Sequence, residues 1–156
     1  MGLPAKSIVN RTAGWHTFFT CTCSHNYNCI MKPKTAGNTP RKVLIIEDEG
    51  ELCLLLNILL DGKGMEVDHV QSLAKAEEYL LQETPSLILL DNRLPDGFGI
   101  DFVNFIKNQH PDAKVIMISG IDVAAGDVAI ENGADAFLRK PFTKAQLYQS
   151  VTELLN

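Results

Sequence analysis

The stretch LILLDNRLPDG, Leu87 to Gly97, decides how this chain folds. Four consecutive bulky aliphatic residues run directly into Asp91, Asn92 and Arg93, and a Pro-Asp-Gly turn follows. An uninterrupted aliphatic run is typical of a strand that is covered on both faces of a sheet. A buried strand gains nothing from a carboxylate at its end unless the charge serves a site, so Asp91 is a candidate functional residue.

The chain divides near residue 40 into two parts of opposite charge. Four of the 14 Lys and Arg residues but none of the 19 Asp and Glu residues lie in residues 1–40, so this part carries +4 and residues 41–156 carry −9. An acidic body argues against direct nucleic-acid binding, which uses a basic surface. No apolar stretch is long enough to cross a membrane, and polar residues interrupt the apolar core that a signal peptide needs. We therefore expect a cytoplasmic protein.

Residues 1–40 show no sustained period of either a helix or a strand. We expect them to be a disordered or spurious N-terminal extension, the latter because Met31 begins a short polar lead into the first strand. The segment CTCSHNYNC, Cys21 to Cys29, contains residue types that bind zinc. Its spacing is not the paired C-x-x-C pattern, so metal binding there stays an open alternative.

Residues 41–156 alternate short apolar runs with helical patterns, which predicts βαβ units around a parallel sheet. Strands are expected at residues 42–48, 65–70, 87–91, 114–119 and 136–140. A helix follows each strand; Ser72 is the expected N-cap of the second helix, and Thr143 and Gln146 form a capping box at the last. The apolar stripe of the first helix is expected at Leu52, Leu55, Leu56 and Leu59.

Polar residues fall where the predicted strands end, namely at Glu47-Asp48, Asp91, Ser119 and Lys140. In open α/β sheets, ligands bind outside the carboxyl ends of parallel strands, so these side chains are expected to converge. Carboxylates near 4 Å apart repel by roughly 4 kcal/mol per pair at an effective dielectric constant near 20. An all-oxygen cluster with room for water suits Mg²⁺, which would relieve that repulsion.

Taken in order, four motifs resemble those of a response-regulator receiver domain of two-component signal transduction. They are IIEDE, LLDNRLPDGFG, the ISG that ends the fourth strand, and FLRKPF, and the resemblance covers residues 41–156. It implies a flavodoxin-like (βα)5 doubly wound fold with strand order 2-1-3-4-5. Because no output domain follows the fifth helix, we expect the single-domain type of receiver, which acts through a downstream partner that the sequence does not identify.

The resemblance implies that Asp91 is the phosphoacceptor. It would receive a phosphoryl group from a histidine of a sensor histidine kinase or a histidine phosphotransfer protein. Asp48, Asp91 and the main-chain carbonyl of Arg93 would bind Mg²⁺, and Glu47 would act largely through metal-bound water. A carboxylate nucleophile needs no general base, which fits the absence of a histidine from the motifs.

The resemblance also implies how phosphorylation is sensed. Lys140 would pair with one phosphoryl oxygen, and Ser119 would donate a hydrogen bond to another. When Ser119 turns toward the phosphate, Phe137 would fill the space that it leaves, and the surface of the fourth helix, fifth strand and fifth helix would change. That surface can serve a downstream protein or a homodimer. The Lys140–Pro141 bond is a candidate cis peptide, because X-Pro bonds lose little in the cis form.

Two residues depart from the usual pattern of the family. Glu47 stands where aspartate is usual, which lengthens one arm of the acidic pair, and Arg93 places a long cation beside the acyl phosphate. One alternative is therefore a receiver-like interaction module that does not switch. Another is an aspartyl-phosphate hydrolase, but such enzymes usually carry a second aspartate two residues after the nucleophile, where this chain has Arg93. We expect a phosphoacceptor with at most weak autophosphatase activity.

Overall fold

The structure, a computed structural model, describes residues 40–120 and 123–156 of the 156. The expectations for the N-terminal extension and its cysteines lie outside the described residues. Within them, strands and helices alternate. The strands are β1 (Arg41–Ile46), β2 (Met65–Val70), β3 (Leu87–Asp91), β4 (Arg93–Leu94), β5 (Gly97–Phe98), β6 (Lys114–Ser119) and β7 (Ala136–Arg139). The helices are α1 (Gly50–Leu60), α2 (Leu73–Leu80), α3 (Gly99–Gln109), α4 (Val123–Glu131) and α5 (Lys144–Leu155).

Five parallel strands form the main sheet in the order β2-β1-β3-β6-β7. This order is the predicted 2-1-3-4-5 once the two-residue strands β4 and β5, which pair antiparallel with each other, are left out. The flavodoxin-like prediction is confirmed. Asp91 pairs with Ile118, and Ser119 pairs with Arg139. The register therefore places the carboxyl ends of the inner strands at one edge of the sheet.

Both faces of the sheet are covered, which explains the continuous aliphatic runs of the inner strands. Successive side chains of a strand point to opposite faces, and two core clusters result. Leu44 and Ile46 belong to the cluster that packs against α2, α3 and α4, whereas Val43 and Ile45 face α1 and α5. The edge strand β2 is only half-buried, as its alternating sequence predicts. None of the helices in the described ranges has the length and hydropathy needed to span a bilayer.

The rotation of α1 differs from the prediction. Its buried residues are Cys53, Leu56 and Leu60, so the predicted stripe is wrong at Leu55, which is 48% exposed. Seven of the 11 residues of α1 are leucine or isoleucine, so the helix offers several apolar stripes, and the connections to β1 and β2 decide which one faces the sheet. The opposite face carries large exposed aliphatic side chains, those of Leu54, Leu55 and Ile58.

The predicted helix starts are confirmed. The Ser72 hydroxyl accepts a hydrogen bond from the Lys75 backbone N–H at 3.3 Å. Thr143 and Gln146 form the reciprocal bonds of a capping box at the start of α5. Each cap satisfies backbone N–H groups that have no partner within the helix, so these local signals fix where α2 and α5 begin.

Candidate functional site

A polar cleft of about 510 Å³ opens at the carboxyl edge of the sheet. It contains all of the predicted metal and catalytic residues. Its lining residues are Glu47, Asp48, Glu49, Asp91, Arg93, Ser119, Gly120 and Lys140. Phe137, the remaining predicted residue, lies outside this cleft on β7. The strand ends thus bring together side chains that are up to 93 residues apart in the sequence.

Lys140 lies between two of the carboxylates. Its Nζ atom is 2.8 Å from Glu47 Oε2 and 2.7 Å from Asp91 Oδ1. Burial on its own would lower the pKa of Lys140, but the hydrogen bonds to Asp91 and Glu47 outweigh it and raise that pKa above its usual 10.5. The ammonium therefore stays charged and is available to a developing negative charge in the cleft.

Glu47 is buried, with a side chain that is only 3% exposed. Both of its carboxylate oxygens have protein partners, because Oε2 binds Lys140 and Oε1 accepts the Glu49 N–H at 3.1 Å. Burial raises the pKa of Glu47, and the bond to Lys140 offsets this effect only in part. The longer side chain of glutamate thus reaches Lys140. This one ammonium does not fully compensate the buried negative charge of Glu47.

Three carboxylates form a group that fits a metal ion. Ligand oxygens of Glu47, Asp48 and Asp91 lie within 4.8 Å of one another, and Asp48 is exposed to solvent. Hard oxygen donors with access to water are the ligands that Mg²⁺ prefers. One ammonium faces three carboxylates, so a divalent cation would balance the charge. The chemistry of the donor set therefore fits the magnesium that the sequence predicts.

The loop after Asp91 is held closely against the end of β3. Asp91 Oδ2 accepts the Arg93 backbone N–H at 2.6 Å, and the Asn92 side chain accepts the Ile100 N–H at 3.1 Å. Gly99 passes so close that a Cβ atom there would lie 2.1 Å from the Asp91 carbonyl oxygen. Only glycine fits this position, and this explains the glycine eight residues after the aspartate.

The β4–β5 hairpin of this loop was not predicted, because two-residue strands carry no measurable period. Its turn contains Asp96, whose carboxylate accepts the backbone N–H groups of Leu73 and Ala74 at 2.9 Å each. These bonds lower the pKa of Asp96. The contact attaches the loop to the first turn of α2. Sequence reasoning missed it, because the Pro-Asp-Gly signal indicates a turn but not the distant helix end that it caps.

The other predicted residues lie at the ends of β6 and β7. Ser119 is buried, and its carbonyl accepts the Lys140 backbone N–H at 2.8 Å. The Lys140–Pro141 bond is cis, as the sequence predicts. Phe137 is half-buried and packs against the core cluster on the α4 side of the sheet. The side chain of Arg93 is exposed at the mouth of the cleft.

A comparison with known protein families agrees with this fold and cleft. The family model described as "Response regulator receiver domain" matches residues 43–152, which is more than half of the chain. This chain therefore belongs to the response-regulator receiver domain family and is a receiver domain of two-component signalling. The two alternatives left open by the sequence, a non-switching interaction module and a hydrolase, are not favoured by this match.

Individual relatives are also response regulators. The response regulator protein PilR of Pseudomonas aeruginosa is 36% identical over 118 residues, which are 74% of this chain and 26% of PilR. The KDP operon transcriptional regulatory protein KdpE of Escherichia coli is 32% identical over 105 residues, 67% of this chain and 47% of KdpE. This chain thus spans less than half the length of either relative.

Solved structures also resemble this fold. The beryllofluoride-activated NtrC4 receiver domain dimer is 33% identical to this chain, with a TM-score of 0.69. The match covers 72% of this chain and 94% of that one.

Proposed function

We propose that Asp91 accepts a phosphoryl group from a phosphohistidine of a sensor histidine kinase or a histidine phosphotransfer protein. The observation that carries this proposal is the convergence of three carboxylates within 4.8 Å of one another, with the ammonium of Lys140 bound to two of them. A purely structural ion-pair cluster would not gather an excess of negative charge in an open cleft.

The transfer would proceed by attack of an Asp91 carboxylate oxygen on phosphorus while the bond to the imidazole nitrogen breaks. The imidazole keeps the electron pair of that bond, and Asp91 becomes an acyl phosphate. Asp48, Asp91 and the Arg93 carbonyl would hold Mg²⁺, with Glu47 in reach of its water ligands. When bound, the ion supplies positive charge that stabilises the phosphoryl oxygens. Lys140 lies against Asp91 already, so it would pair with a phosphoryl oxygen after a small displacement.

Incubation with acetyl phosphate and Mg²⁺ tests the acceptor directly. We expect intact-mass measurement to show one added phosphoryl group on the wild-type chain and none on Asp91→Asn. Asp101→Asn removes an exposed carboxylate at the start of α3 and should still accept the group. Chelation of Mg²⁺ should prevent the modification. A phosphorylated Asp91→Asn protein, or an unmodified wild-type chain, would contradict the proposal.

The phosphodonor protein would dock on the exposed face of α1. This helix begins two residues after Asp48, and it presents Leu54, Leu55 and Ile58 at 62%, 48% and 66% exposure. Three large aliphatic side chains on one helical face beside the acceptor cleft match an apolar helical surface on the donor.

A double substitution separates docking from chemistry. In Leu54→Ser/Ile58→Ser, transfer from the histidine kinase that phosphorylates the wild-type chain fastest in a purified panel should fall by roughly tenfold. Phosphorylation by acetyl phosphate should not change, because a small donor needs no docking surface. The matched control Leu81→Ser replaces an aliphatic side chain that is 80% exposed at the end of α2. An equal loss of transfer rate in the double variant and in Leu81→Ser would contradict docking at α1.

The phosphorylated state would be sensed by Ser119 and Phe137 and passed to the surface of α4, β7 and α5. Val128 and Ile130 of α4 are 44% and 48% exposed, so this surface contains apolar area for a downstream protein or a second copy of the chain. Sedimentation with and without beryllofluoride tests the homodimer. We expect a larger sedimenting species only with beryllofluoride, and an unchanged monomer would assign the surface to another protein.

The functional unit would be residues 41–156, in the cytoplasm, with residues 1–40 not needed for phosphorylation. A chain that lacks residues 1–40 should accept phosphate at the wild-type rate, and a slower rate in a variant that remains folded would contradict this boundary. We also propose that the domain is a phosphoacceptor with at most weak autophosphatase activity and not a turnover enzyme. A hydrolase of this kind uses a carboxyl group as general acid at this position, and Arg93 has none. Sustained release of phosphate from phosphate esters would contradict this assignment.

A further inference from the structure

Gly126 lies within α4, where glycine is among the weakest helix formers. It is buried, and it packs against the ring of Phe137 on β7. A Cβ atom at Gly126 would lie 3.1 Å from Phe137 Cδ1, 3.3 Å from Cγ and 3.5 Å from Cε1. The side of the ring thus leaves too little room for even a Cβ atom at position 126 unless the ring shifts.

Ser119 lies on the same face of the sheet as the Phe137 ring. Phe137 pairs with Met117, and two residues further along these strands Ser119 pairs with Arg139. Residues two apart on a strand point to the same face, and diagonal neighbours on adjacent strands lie close enough for an aromatic side chain to reach. Phe137 is therefore placed between the backbone of α4 and the side of Ser119.

We propose that Gly126 is a positioning residue for the phosphorylation switch: its missing side chain makes room for the Phe137 ring against α4 and so holds the ring away from Ser119 in the unphosphorylated protein. The inference rests on the proposed function, because it assigns a cause to the resting position of the switch. A side chain at position 126 closes the place against α4. The ring then favours the position beside Ser119. This lowers the free-energy difference between the resting conformation and the phosphorylated one.

A size series at position 126 tests the inference. Alanine requires the ring to yield by a few tenths of an ångström, whereas leucine fills the place of the ring itself. We expect Gly126→Leu to bind beryllofluoride in the presence of Mg²⁺ roughly fivefold more tightly than the wild-type chain, and Gly126→Ala to show a smaller change in the same direction. Para-fluorophenylalanine at position 137 should give a fluorine NMR signal that Gly126→Leu shifts before any ligand is added.

The same substitution in a Phe137→Ala background distinguishes contact with the ring from a general effect on α4. Both alanine and leucine form helices better than glycine, so a change in helix stability would act in either background. We expect Gly126→Leu to leave beryllofluoride affinity unchanged, within twofold, once Phe137 is alanine. Circular dichroism and urea unfolding confirm that each variant is folded, and Gly126→Ala serves as the second variant if the leucine protein is unfolded.

The outcomes separate this inference from the proposed function. If the wild-type chain binds no beryllofluoride, the proposed function is wrong and this inference falls with it. If the wild-type chain binds and the size series does not alter affinity, Gly126 does not position the switch although the domain is phosphorylated. An affinity gain that persists in the Phe137→Ala background also overturns the inference, since it assigns the effect to α4 alone.

Discussion

Two carboxylates, the half-buried Asp135 and the buried Asp91, lie at opposite edges of the same sheet, and each is paired with lysine. At the amino edge, the Asp135 carboxylate is 2.5 Å from Lys107 Nζ and 3.3 Å from Lys114 Nζ, and it accepts the Val115 N–H at 2.8 Å. At the carboxyl edge, Asp91 shares the ammonium of a single lysine with a second buried carboxylate, and a third carboxylate lies beside them.

The difference between the two clusters is their charge balance. Two ammonium groups face one carboxylate at the amino edge, and although burial alone would raise the pKa of Asp135, the bonds to Lys107 and Val115 outweigh it and lower that pKa. At the carboxyl edge one ammonium faces three carboxylates, and the pKa of Glu47 is raised. A carboxylate that is fully matched by ammonium groups stabilises the fold, whereas an acidic surplus in an open cleft costs stability until a cation binds.

The largest expected effect follows from removing Lys140, the ammonium that pairs with Glu47 and Asp91. Lys140→Met should slow phosphorylation by acetyl phosphate by roughly a hundredfold, because a positioned positive group no longer stabilises the phosphoryl oxygens. The same change removes a positive charge from beside the carboxylates, so Mg²⁺ affinity by calorimetry should rise or stay equal. A fall in Mg²⁺ affinity together with a normal phosphorylation rate would contradict this prediction. It would mean that Lys140 supports metal binding and does not stabilise the phosphoryl oxygens.

The sequence predicts the charged edge well because its signals are local. A run of buried aliphatic residues defines each inner strand, and the polar residue that ends the run is thereby placed at the edge of the sheet. Glu47, Asp91, Ser119 and Lys140 come together on this reasoning alone. The capping residues of α2 and α5 are equally local, since an N-cap and its partner lie three residues apart.

Features that depend on distant partners could not be predicted in the same way. The rotation of α1 is ambiguous because leucine occupies most of its positions, so exposure of Leu55 follows only from packing. Asp96 caps a helix start 22 residues earlier in the chain. The contact between Gly126 and Phe137 requires the crossing of α4 over β7. In each case the residue can be read from the sequence, but its partner is determined by tertiary packing.

At the amino edge, where two ammonium groups depend on one carboxylate, a neutral side chain in place of that carboxylate should cost stability. Asp135→Asn keeps an acceptor for the Val115 N–H but removes the charge that pairs with Lys107 and Lys114. We expect the free energy of unfolding in urea to fall by about 2 kcal/mol, while phosphorylation by acetyl phosphate stays within twofold of wild type. A loss of phosphorylation in a variant that remains folded would mean that the two edges are coupled.

The pH dependence of that loss has a defined sign. Because the folded protein holds the pKa of Asp135 below its ordinary value of 3.8, the carboxylate contributes stability that is fully present above that value. The contribution disappears as the pH falls through the lower pKa of the folded state. The difference in unfolding free energy between wild type and Asp135→Asn should therefore be constant from about pH 7 to about pH 5 and shrink toward about pH 2. A difference that grows on acidification would contradict this pairing.

The smallest expected effect concerns the exposed member of the surplus cluster. Asp48→Asn removes one of three mutually repelling carboxylates, so without Mg²⁺ the free energy of unfolding should rise by about 0.5 kcal/mol. If Mg²⁺ binds the folded wild-type chain as proposed, it should raise the free energy of unfolding, and this gain should be lost in the variant. Asp101→Asn, which neutralises an exposed carboxylate outside the cleft, should retain the gain. If Asp48→Asn lowers stability without Mg²⁺, repulsion among the carboxylates does not destabilise the carboxyl edge. Excess negative charge would then not distinguish this site from the Asp135 cluster at the amino edge.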